Sequence, residues 1–248
     1  MKKFANQVAV VTAAAGAGIG QATARALAQE GASVVVSDRH PRRTVEVADA
    51  IGVDYGVPTM PAVCDVTDRR QVAATINDVI SRFGQIDILV NNAGFDMFQP
   101  LEEMEVESAE KIIAINLMGT IYMTKAVLPG MIRRRSGKIV NLSSIAAYSP
   151  DAGDSAAYCA SKAAIQAFTR TMAREVGKYQ IRVNAIAPSV TLNPHFEKQM
   201  PPGYMADITG KMPLGPIKPD DQARAILYLL SDDAALVSGA TLNVTAGY

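Results

Sequence analysis

Short runs of apolar residues alternate along this chain with longer stretches of helical periodicity. Within each run Val, Ile, Leu and Ala follow one another with little polar interruption, as strands require when both faces of their sheet are covered. We therefore predict a parallel sheet with helices packed on both faces. The predicted strands are residues 8–13, 33–37, 59–64, 87–91, 138–142, 182–187 and 241–244.

Residues typical of helix ends lie between these runs. Pro219 is followed by two aspartates, which suits a first helical turn because acidic side chains interact favourably with the N-terminal dipole. Gly31 and Gly84 stand where two earlier helices should end. With right-handed crossovers, this order predicts an α/β single-domain Rossmann fold over residues 1–248, in which helices cover both faces of a doubly wound seven-stranded parallel sheet.

The segment 189–219 interrupts the alternation and is rich in proline, methionine and glycine. A long connection that follows a late strand lies beyond the carboxyl ends of the sheet, where ligands bind in this fold. We therefore predict a substrate-binding loop region at 189–219. Its apolar side chains could form an adaptable lid, or they could serve ordinary loop packing or a subunit contact. They are Leu192, Phe196, Met200, Tyr204, Met205 and Met212.

The composition excludes several classes of partner. Lys plus Arg and Asp plus Glu number 24 each, so no basic surface for nucleic acid or an anionic membrane is expected. Cys64 and Cys159 are too few for a disulfide framework, which favours the cytoplasm. The sequence displays no signal core and no apolar run near the ~20 residues of a membrane span, so we expect no membrane association. His40 and His195 lack an acidic partner at ligand spacing, and no metal site is expected.

A glycine cluster follows the first predicted strand and precedes a long helical pattern. Gly16, Gly18 and Gly20 would let the backbone approach a pyrophosphate, to which the helix N-terminus offers N–H groups. A glycine cluster alone is more often a plain turn. Asp38, however, ends the second strand 18 residues after Gly20, near the spacing at which an acid accepts hydrogen bonds from an adenosine ribose. Together these features predict a dinucleotide site.

The same aspartate favours NAD over NADP. The Asp38 carboxylate would oppose the 2′-phosphate of NADP, and opposed like charges cost on the order of several kcal/mol. Arg39, Arg42 and Arg43 leave an alternative open, since a guanidinium could hold that phosphate. Their other interpretation is a solvated loop and helix start.

Tyr158 and Lys162 lie four residues apart on a predicted helix and share one face. A phenol has an ordinary pKa of about 10, and a neighbouring ammonium lowers that pKa towards the range useful for acid/base catalysis. Ser144 could hydrogen-bond the reacting oxygen. Alone, this spacing is weak evidence, because such pairs usually serve packing and solvation.

These motifs together resemble the short-chain dehydrogenase/reductase family over almost the full chain. Between the glycine loop and the tyrosine–lysine pair, and beyond them, further segments follow the family's order. They are Cys64-Asp65-Val66, Asn91-Asn92-Ala93-Gly94, Ile115-Asn116, Asn141-Leu142-Ser143-Ser144 and Val183-Asn184-Ala185. The resemblance implies reversible hydride transfer between a nicotinamide cofactor and a secondary alcohol or ketone.

The resemblance also implies a role for each catalytic residue. Tyr158 would be the general acid/base, Lys162 would lower its pKa and hold the nicotinamide ribose, and Ser144 would orient the substrate oxygen. Asn116 would complete a proton relay, although an asparagine there could merely bend a long helix. The match selects Ser144 over Ser143, since neighbours on an extended segment face opposite ways.

The implied cofactor contacts extend along the carboxyl ends of the strands. Asp65 and Val66 would border the adenine, unless Asp65 caps the next helix, a role that Asp68 could take instead. The full implied set is Gly16, Gly18, Ile19, Gly20, Asp38, Arg39, Asp65, Val66, Asn92, Ala93, Gly94, Tyr158, Lys162, Pro188 and Thr191.

Two segments depart from the family pattern. The glycine loop has Ala13 where members have glycine and is one residue longer, and Ser189 replaces the glycine after Pro188. Thr191 and Asn193 are then the nearest candidates for a threonine near the carboxamide and pyrophosphate. These departures, together with Ser37-Asp38-Arg39-His40, resemble bacterial members that act on coenzyme-A thioesters of steroid-ring fragments. The segment 91–100, with Phe95-Asp96 after Gly94, also resembles hydroxycyclohexanecarboxyl-CoA dehydrogenases.

We therefore expect an NAD(H)-dependent oxidoreductase that interconverts a small-molecule secondary alcohol and a ketone, and a cyclic hydroxyacyl coenzyme-A thioester is one candidate substrate. One alternative is an NADPH-dependent 3-oxoacyl-thioester (acyl-carrier-protein) reductase. An alternative of another class is a non-catalytic dinucleotide-sensing binding protein. Resemblance to the family further implies a homotetramer.

Overall fold

Seven strands form one parallel sheet in the order β3-β2-β1-β4-β5-β6-β7. The structure is a computed structural model that describes residues 2–149, 155–192 and 203–248, without the side chain of Met205. The strands are β1 (Val8–Thr12), β2 (Ser33–Asp38), β3 (Thr59–Val63), β4 (Ile88–Asn91), β5 (Gly137–Leu142), β6 (Ile181–Pro188) and β7 (Thr241–Val244). All the predicted strands are confirmed, with ends that differ by at most one residue. The order reverses between β1 and β4, and folds of this kind bind ligands at the carboxyl ends of the strands next to such a reversal.

Helices connect the strands and cover both faces of the sheet. The described helices are α1 (Ile19–Gln29), α2 (Pro41–Tyr55), α3 (Arg69–Phe83), α4 (Val106–Ile113), α5 (Gly119–Arg134), α6 (Ala156–Val176), α7 (Tyr204–Gly210) and α8 (Pro219–Leu230). A π-helical segment, Ala114–Met118, joins α4 to α5, and short 3₁₀ turns span Ile145–Ala147, Gly177–Tyr179 and Asp232–Ala234.

Two apolar cores explain why the strands show so little alternation. Val11 packs in the core beneath α1, α2 and α8, whereas its neighbour Val10 packs in the core beneath α3, α5 and α6. Successive side chains of a strand point to opposite faces, so a strand covered on both sides must be apolar at consecutive positions. This double burial fixes the sheet as the central layer of the molecule.

The predicted helix boundaries are also confirmed. Gly84 ends α3 at φ 80°, and Gly31 lies just beyond α1 at φ 92°, both in the left-handed region that glycine adopts readily. Pro219 begins α8, and the Asp221 carboxylate accepts the backbone N–H of Lys218 at 2.7 Å. Local chemistry therefore sets where these helices begin and end.

The helical path Val106–Arg134 is longer and more apolar than we expected from the sequence. Within the described chain it has the length and mean hydropathy of a membrane span, with 39% of the apolar window buried. Met123, Val127 and Met131 of this path pack in the core under β4 and β5. That packing is typical of a core helix in an α/β sheet protein.

The 189–219 region is partly outside the described residues, which omit Asn193, His195, Phe196 and Met200. In its described part, Met212 is 4% exposed and packs with Ile208 and Ile217. Tyr204 lies against this small cluster, whereas Leu214 is 85% exposed. For Met212 and Tyr204 the structure therefore favours ordinary packing over an open lid.

A buried chain of amides and hydroxyls crosses the sheet near its carboxyl edge. The side chain of Asn91 donates to Thr124 Oγ1 at 3.0 Å and to Asn141 Oδ1 at 2.8 Å. Asn141 in turn donates to Thr169 Oγ1 at 2.9 Å. These four residues tie neighbouring strands β4 and β5 to α5 and α6, and all four are at most 3% exposed.

We expect Asn141→Ala to lower the free energy of unfolding by about 2–4 kcal/mol, because it leaves buried groups of Asn91 and Thr169 without that partner. Urea unfolding followed by circular dichroism measures the change. Asn77→Ala, at an exposed position of α3, is the matched control and should change it by less than about 0.5 kcal/mol. Equal effects in the two variants would contradict a structural role for the buried amide chain.

Candidate active site and dinucleotide site

The loop after β1 begins with a backbone conformation that normally favours glycine. Ala13 has φ 50°, in the left-handed region. The family that the sequence resembles carries glycine at this position. An L-residue there costs roughly 1–2 kcal/mol. The Ala13 carbonyl accepts a hydrogen bond from the Asn92 side chain at 3.2 Å. Ala13 therefore adopts the left-handed conformation of this turn at an energetic cost that glycine would not have.

The glycines of this loop fall into two kinds. A Cβ added at Gly20 would collide with the Asn92 side-chain amide and lie 2.6 Å from the Ala13 oxygen, so the fold itself requires glycine there. A Cβ added at Gly16 or Gly18 would meet no atom of the described chain within 4 Å. Packing does not explain these two glycines, but close approach of a ligand to the backbone does. The loop thus fits a dinucleotide pyrophosphate.

Thr12 and Asn92 join this loop to the end of β4. The Thr12 hydroxyl accepts the backbone N–H groups of Asn92 and Ala93, each at 2.9 Å. In return, the Asn92 side chain donates to the Thr12 carbonyl at 3.0 Å. Two strands that are neighbours at the switch point therefore hold the residues predicted to contact the pyrophosphate and the adenosine ribose.

Asp38 ends β2 and has a second role that the sequence did not reveal. One carboxylate oxygen accepts the backbone N–H of Ala15 at 3.2 Å, and the other accepts that of His40 at 3.1 Å. Because a carboxylate has about four acceptor positions, these bonds leave capacity for ribose hydroxyls. Asp38 thus fixes the glycine loop from the side on which the adenosine would lie.

The arginines near Asp38 do not form a cluster around it. Arg42 pairs with Glu46 at 2.7 Å on the exposed side of α2. Arg39 and Arg43 are exposed and have no ion pair among the described residues. This arrangement matches the interpretation of a solvated loop and helix start.

Asp65 and Val66 follow β3, which is the edge strand next to β2. Asp68 caps α3 by accepting the N–H groups of Arg70 and Gln71, which lowers the pKa of its carboxyl group. Asp65 instead accepts the N–H and hydroxyl of Thr67. A Cβ at Gly119 would clash with Val66, so the start of α5 packs closely behind the predicted adenine contact.

Ser143 and Ser144 follow β5 and point to different partners. The Ser143 hydroxyl donates to the Lys162 carbonyl at 3.0 Å and accepts from Gln166 at 3.1 Å, so it is committed to α6. Ser144 is half-buried, and its oxygen accepts the N–H of Ala146 at 3.1 Å. That bond leaves the hydroxyl hydrogen of Ser144 available to donate.

Tyr158 and Lys162 lie in the first turns of α6. Lys162 is 3% exposed, and its ammonium donates to the Leu142 carbonyl at 2.8 Å. The same nitrogen lies 5.4 Å from the centroid of the Tyr158 ring. A Cβ added at Gly94 would lie 3.4 Å from it, so the structure brings Lys162, Tyr158 and Gly94 together.

Asn116 lies in the π-helical segment and does more than bend the helix. Its fully buried side-chain amide accepts the Phe95 N–H at 2.7 Å and donates to the Phe95 carbonyl at 3.0 Å. It also donates to Ser161 Oγ at 2.9 Å. Single π turns inside α-helices are frequent at functional sites. The proton relay itself stays a prediction.

Thr191 lies just beyond Pro188, which ends β6. The hydroxyl of Thr191 donates to the Ser189 carbonyl at 3.1 Å and lies 3.3 Å from the Gln222 side-chain nitrogen. Gln222 is fully buried in α8 and also donates to the Val244 carbonyl at 3.0 Å. This glutamine could not be singled out from the sequence, because a single polar residue in an amphipathic helix looks ordinary.

Comparison with known proteins gives a consistent result. Residues 13–248 match the family model described as enoyl-(acyl carrier protein) reductase. The chain is 37% identical to the 3-oxoacyl-(acyl-carrier-protein) reductase of Thermotoga maritima, over 99% of this chain and 98% of that protein. It is 39% identical to the cis-4-hydroxycyclohexanecarboxylate dehydrogenase of Sinomonas cyclohexanicum, over 99% and 97%.

Among solved structures, the fold is similar to a 7α-hydroxysteroid dehydrogenase in complex with NADH and 7-oxo glycochenodeoxycholic acid. The TM-score is 0.93 at 32% identity, and the similarity covers 99% of this chain and 95% of the other. The similarity in sequence and in fold therefore extends over the whole chain.

The two kinds of glycine predict opposite outcomes for the same substitution. Gly20→Ala should lower the thermal midpoint of unfolding, because the added methyl group displaces Asn92 and the Ala13 carbonyl. Gly16→Ala should leave the midpoint unchanged but weaken dinucleotide binding at least tenfold. Differential scanning fluorimetry and NADH fluorescence titration measure these two quantities. Unchanged NADH affinity in Gly16→Ala would argue against a pyrophosphate at this loop.

Proposed function

We propose that this chain, which belongs to the short-chain dehydrogenase/reductase family, transfers hydride reversibly between NAD(H) and a secondary alcohol or ketone. Membership of the family makes it an oxidoreductase of secondary alcohols and ketones that uses a nicotinamide dinucleotide. The preference for NAD and the identity of the substrate are the parts that we propose.

The observation that carries the proposal is the buried ammonium of Lys162 next to the ring of Tyr158. A cation held 5.4 Å from the ring centroid, at 3% exposure, favours the phenolate because little water screens it. The Leu142 carbonyl accepts one of the three N–H donors of Lys162 and holds the ammonium in place. A residue pair that served only packing would not need a buried charge.

In the direction of oxidation, the phenolate of Tyr158 takes the proton of the substrate hydroxyl as the C–H bond breaks. In the direction of reduction, the Tyr158 phenol returns that proton to the oxygen. Ser144 donates its hydroxyl hydrogen to the same oxygen and so fixes its position. The nicotinamide ring, when bound, supplies the hydride acceptor or donor. Asn116, which is buried, would complete a proton relay that includes Lys162.

The choice of NAD rests on Asp38. Its carboxylate is anchored by two backbone N–H groups and so cannot easily turn away from a 2′-phosphate. Arg39 is exposed at the next position, where a guanidinium beside the adenosine is compatible with either cofactor. The set of residues that would hold NAD is the one that the family resemblance implies, from the glycine loop to Thr191.

For the substrate, we propose a cyclic hydroxyacid or its coenzyme-A thioester. The relative from Sinomonas cyclohexanicum is named for its action on a hydroxycyclohexanecarboxylate. Segments that adjoin the site also expose apolar side chains, with Phe98 52%, Tyr148 53% and Leu214 85% exposed. Such surfaces suit an apolar ring. In this proposal residues 1–248 form one catalytic domain, residues 189–219 bind the substrate, and the enzyme is a cytoplasmic homotetramer.

The second candidate is an NADPH-dependent reductase of 3-oxoacyl thioesters on acyl carrier protein. The relative from Thermotoga maritima carries that name and matches along the whole chain. A purely dinucleotide-sensing protein is disfavoured because Asn116, Ser144, Tyr158 and Lys162 are all present.

Tyr158→Phe should lower kcat by a factor of about 10²–10⁴, because it removes the group that exchanges the proton. The affinity for NADH should stay within about twofold of wild type, since the ring and Lys162 remain. Turnover is followed by NADH absorbance with a panel of cyclic alcohols, hydroxyacids and their coenzyme-A thioesters. Tyr179→Phe, outside the site, serves as the control. Wild-type turnover in Tyr158→Phe would exclude the mechanism.

The wild-type enzyme should have a kcat/KM at least tenfold higher with NAD than with NADP, because Asp38 opposes the 2′-phosphate. Asp38→Asn should reduce this ratio, since it removes the charge and keeps a carbonyl acceptor. Steady-state kinetics with both cofactors and one alcohol measure the ratio. A wild-type preference for NADP, combined with reduction of a 3-oxoacyl thioester, would favour the second candidate instead.

A further inference from the structure

Both backbone polar groups of Tyr158 are bonded to serine side chains of its own helix. The Tyr158 N–H donates to Ser155 Oγ at 3.3 Å, and the Tyr158 carbonyl accepts from Ser161 Oγ at 2.7 Å. Each serine has a second partner on the facing side of the site. Ser155 donates to Asp96 at 2.9 Å, and Ser161 accepts from Asn116 at 2.9 Å.

We propose that Asp96 is a positioning residue for Tyr158 and acts by orienting the hydroxyl group of Ser155. This inference rests on the proposed function, in which Tyr158 exchanges the substrate proton. Asp96 touches neither the proton nor the reacting carbon in this proposal. Its contribution is to fix the first turn of α6, on which the phenol is carried.

The chemistry of the three groups explains why an acceptor oxygen is needed at position 96. Ser155 is the N-cap of α6 and is 3% exposed. A hydroxyl group can donate or accept, whereas an ionised carboxylate only accepts. Asp96 therefore forces the Ser155 hydrogen towards itself and leaves an oxygen lone pair for the Tyr158 N–H. Without Asp96 the hydroxyl can rotate, and the cap loses its fixed direction.

Asp96 is itself held in place by backbone contacts. The preceding residue, Phe95, is bonded through both its N–H and its carbonyl to the buried amide of Asn116. The Asp96 oxygen that accepts from Ser155 also accepts the N–H of Met97 at 2.7 Å. Phe95 thus links Asp96 to Asn116. Asp96 contacts Ser155, before Tyr158, and Asn116 contacts Ser161, after it.

The second carboxylate oxygen of Asp96, Oδ2, is buried and has no hydrogen-bond partner among the described residues. A buried acceptor without a partner is costly, so stability alone does not explain the aspartate. In Asp96→Asn, the amide oxygen should occupy the Oδ1 position, because the donors of Met97 and Ser155 both point there. This conservative variant therefore keeps the bond to Ser155 and removes the charge.

The first test compares kcat, KM, NADH affinity and thermal midpoint among the variants. Asp96→Ala and Ser155→Ala should each lower kcat by about 10- to 100-fold, the effect of a small misplacement of a catalytic group. KM and NADH affinity should stay within about threefold of wild type. Asp96→Asn should retain at least about a third of wild-type kcat. Asp49→Ala, an exposed aspartate of α2, is the matched control for loss of a carboxylate.

A rescue experiment separates orientation of the cap from general damage to the fold. In the Asp96→Ala background, Ser155→Asp supplies an N-cap that can only accept and needs no orienting partner, and the removed side chain leaves space for it. The double variant should recover kcat at least fivefold over Asp96→Ala. In the wild-type background, Ser155→Asp should lower kcat, because it faces the Asp96 carboxylate.

Wild-type kcat in Asp96→Ala would overturn the inference. So would equal losses in Asp96→Ala and Asp96→Asn, or a double variant that folds and recovers no activity. These outcomes differ from failure of the proposed function, which appears as wild-type turnover in Tyr158→Phe. If Tyr158→Phe is inactive and Asp96→Ala is fully active, Tyr158 keeps its role and only the inference about Asp96 is lost.

Discussion

The Thr12 hydroxyl accepts the backbone N–H groups of Asn92 and Ala93, and this contact joins the two halves of the molecule at the switch point of the sheet. On one side it supports the loop that begins at Ala13. On the other it fixes where the chain leaves β4, which sets Gly94 against Lys162 and carries the chain on to Asp96. Together with the bonds from the Asn92 side chain to the Thr12 and Ala13 carbonyls, this contact sets the glycine loop relative to the chain that leads from β4 towards α6.

The fold was predictable from the sequence because its main determinant is local. Strands covered on both faces have consecutive apolar residues, and that pattern needs no knowledge of the partners. Gly84 and Pro219 are also local signals, because each acts through the backbone preference of its own residue. The predicted catalytic residues were found for a different reason, because their order along the chain matches that of a known family.

Contacts between residues distant in sequence were not predictable. Asp96 and Ser155 are 59 residues apart, and Thr191 and Gln222 are 31 apart. Nothing in the local pattern around any of these residues indicates its partner. Asn116 was identified, but its bonds to Phe95 and Ser161 depend on a π-helical turn that helical periodicity does not reveal. The sequence therefore points to candidate reacting groups but not to the residues that hold them.

Several residues predicted to bind ligand also stabilise the protein itself. Asp38 holds Ala15, and the Asn92 side chain holds the carbonyls of Thr12 and Ala13. Substitution of either residue would change the loop as well as any ligand contact, so loss of binding alone would not prove direct contact. Gly16 differs, because no atom of the described residues lies within 4 Å of the place where its side chain would be.

The longer loop with Ala13 in place of glycine illustrates how such bonds compensate for local strain. The left-handed conformation of Ala13 costs roughly 1–2 kcal/mol. The bonds from Asn92 to the Ala13 carbonyl and from Ala15 to Asp38 contribute about 0.5–1.5 kcal/mol each, or more where a charge takes part. Their sum is sufficient to offset the strain. An alanine can therefore occupy this turn because Asp38 and Asn92 fix the residues on either side of it, and the binding surface keeps its shape.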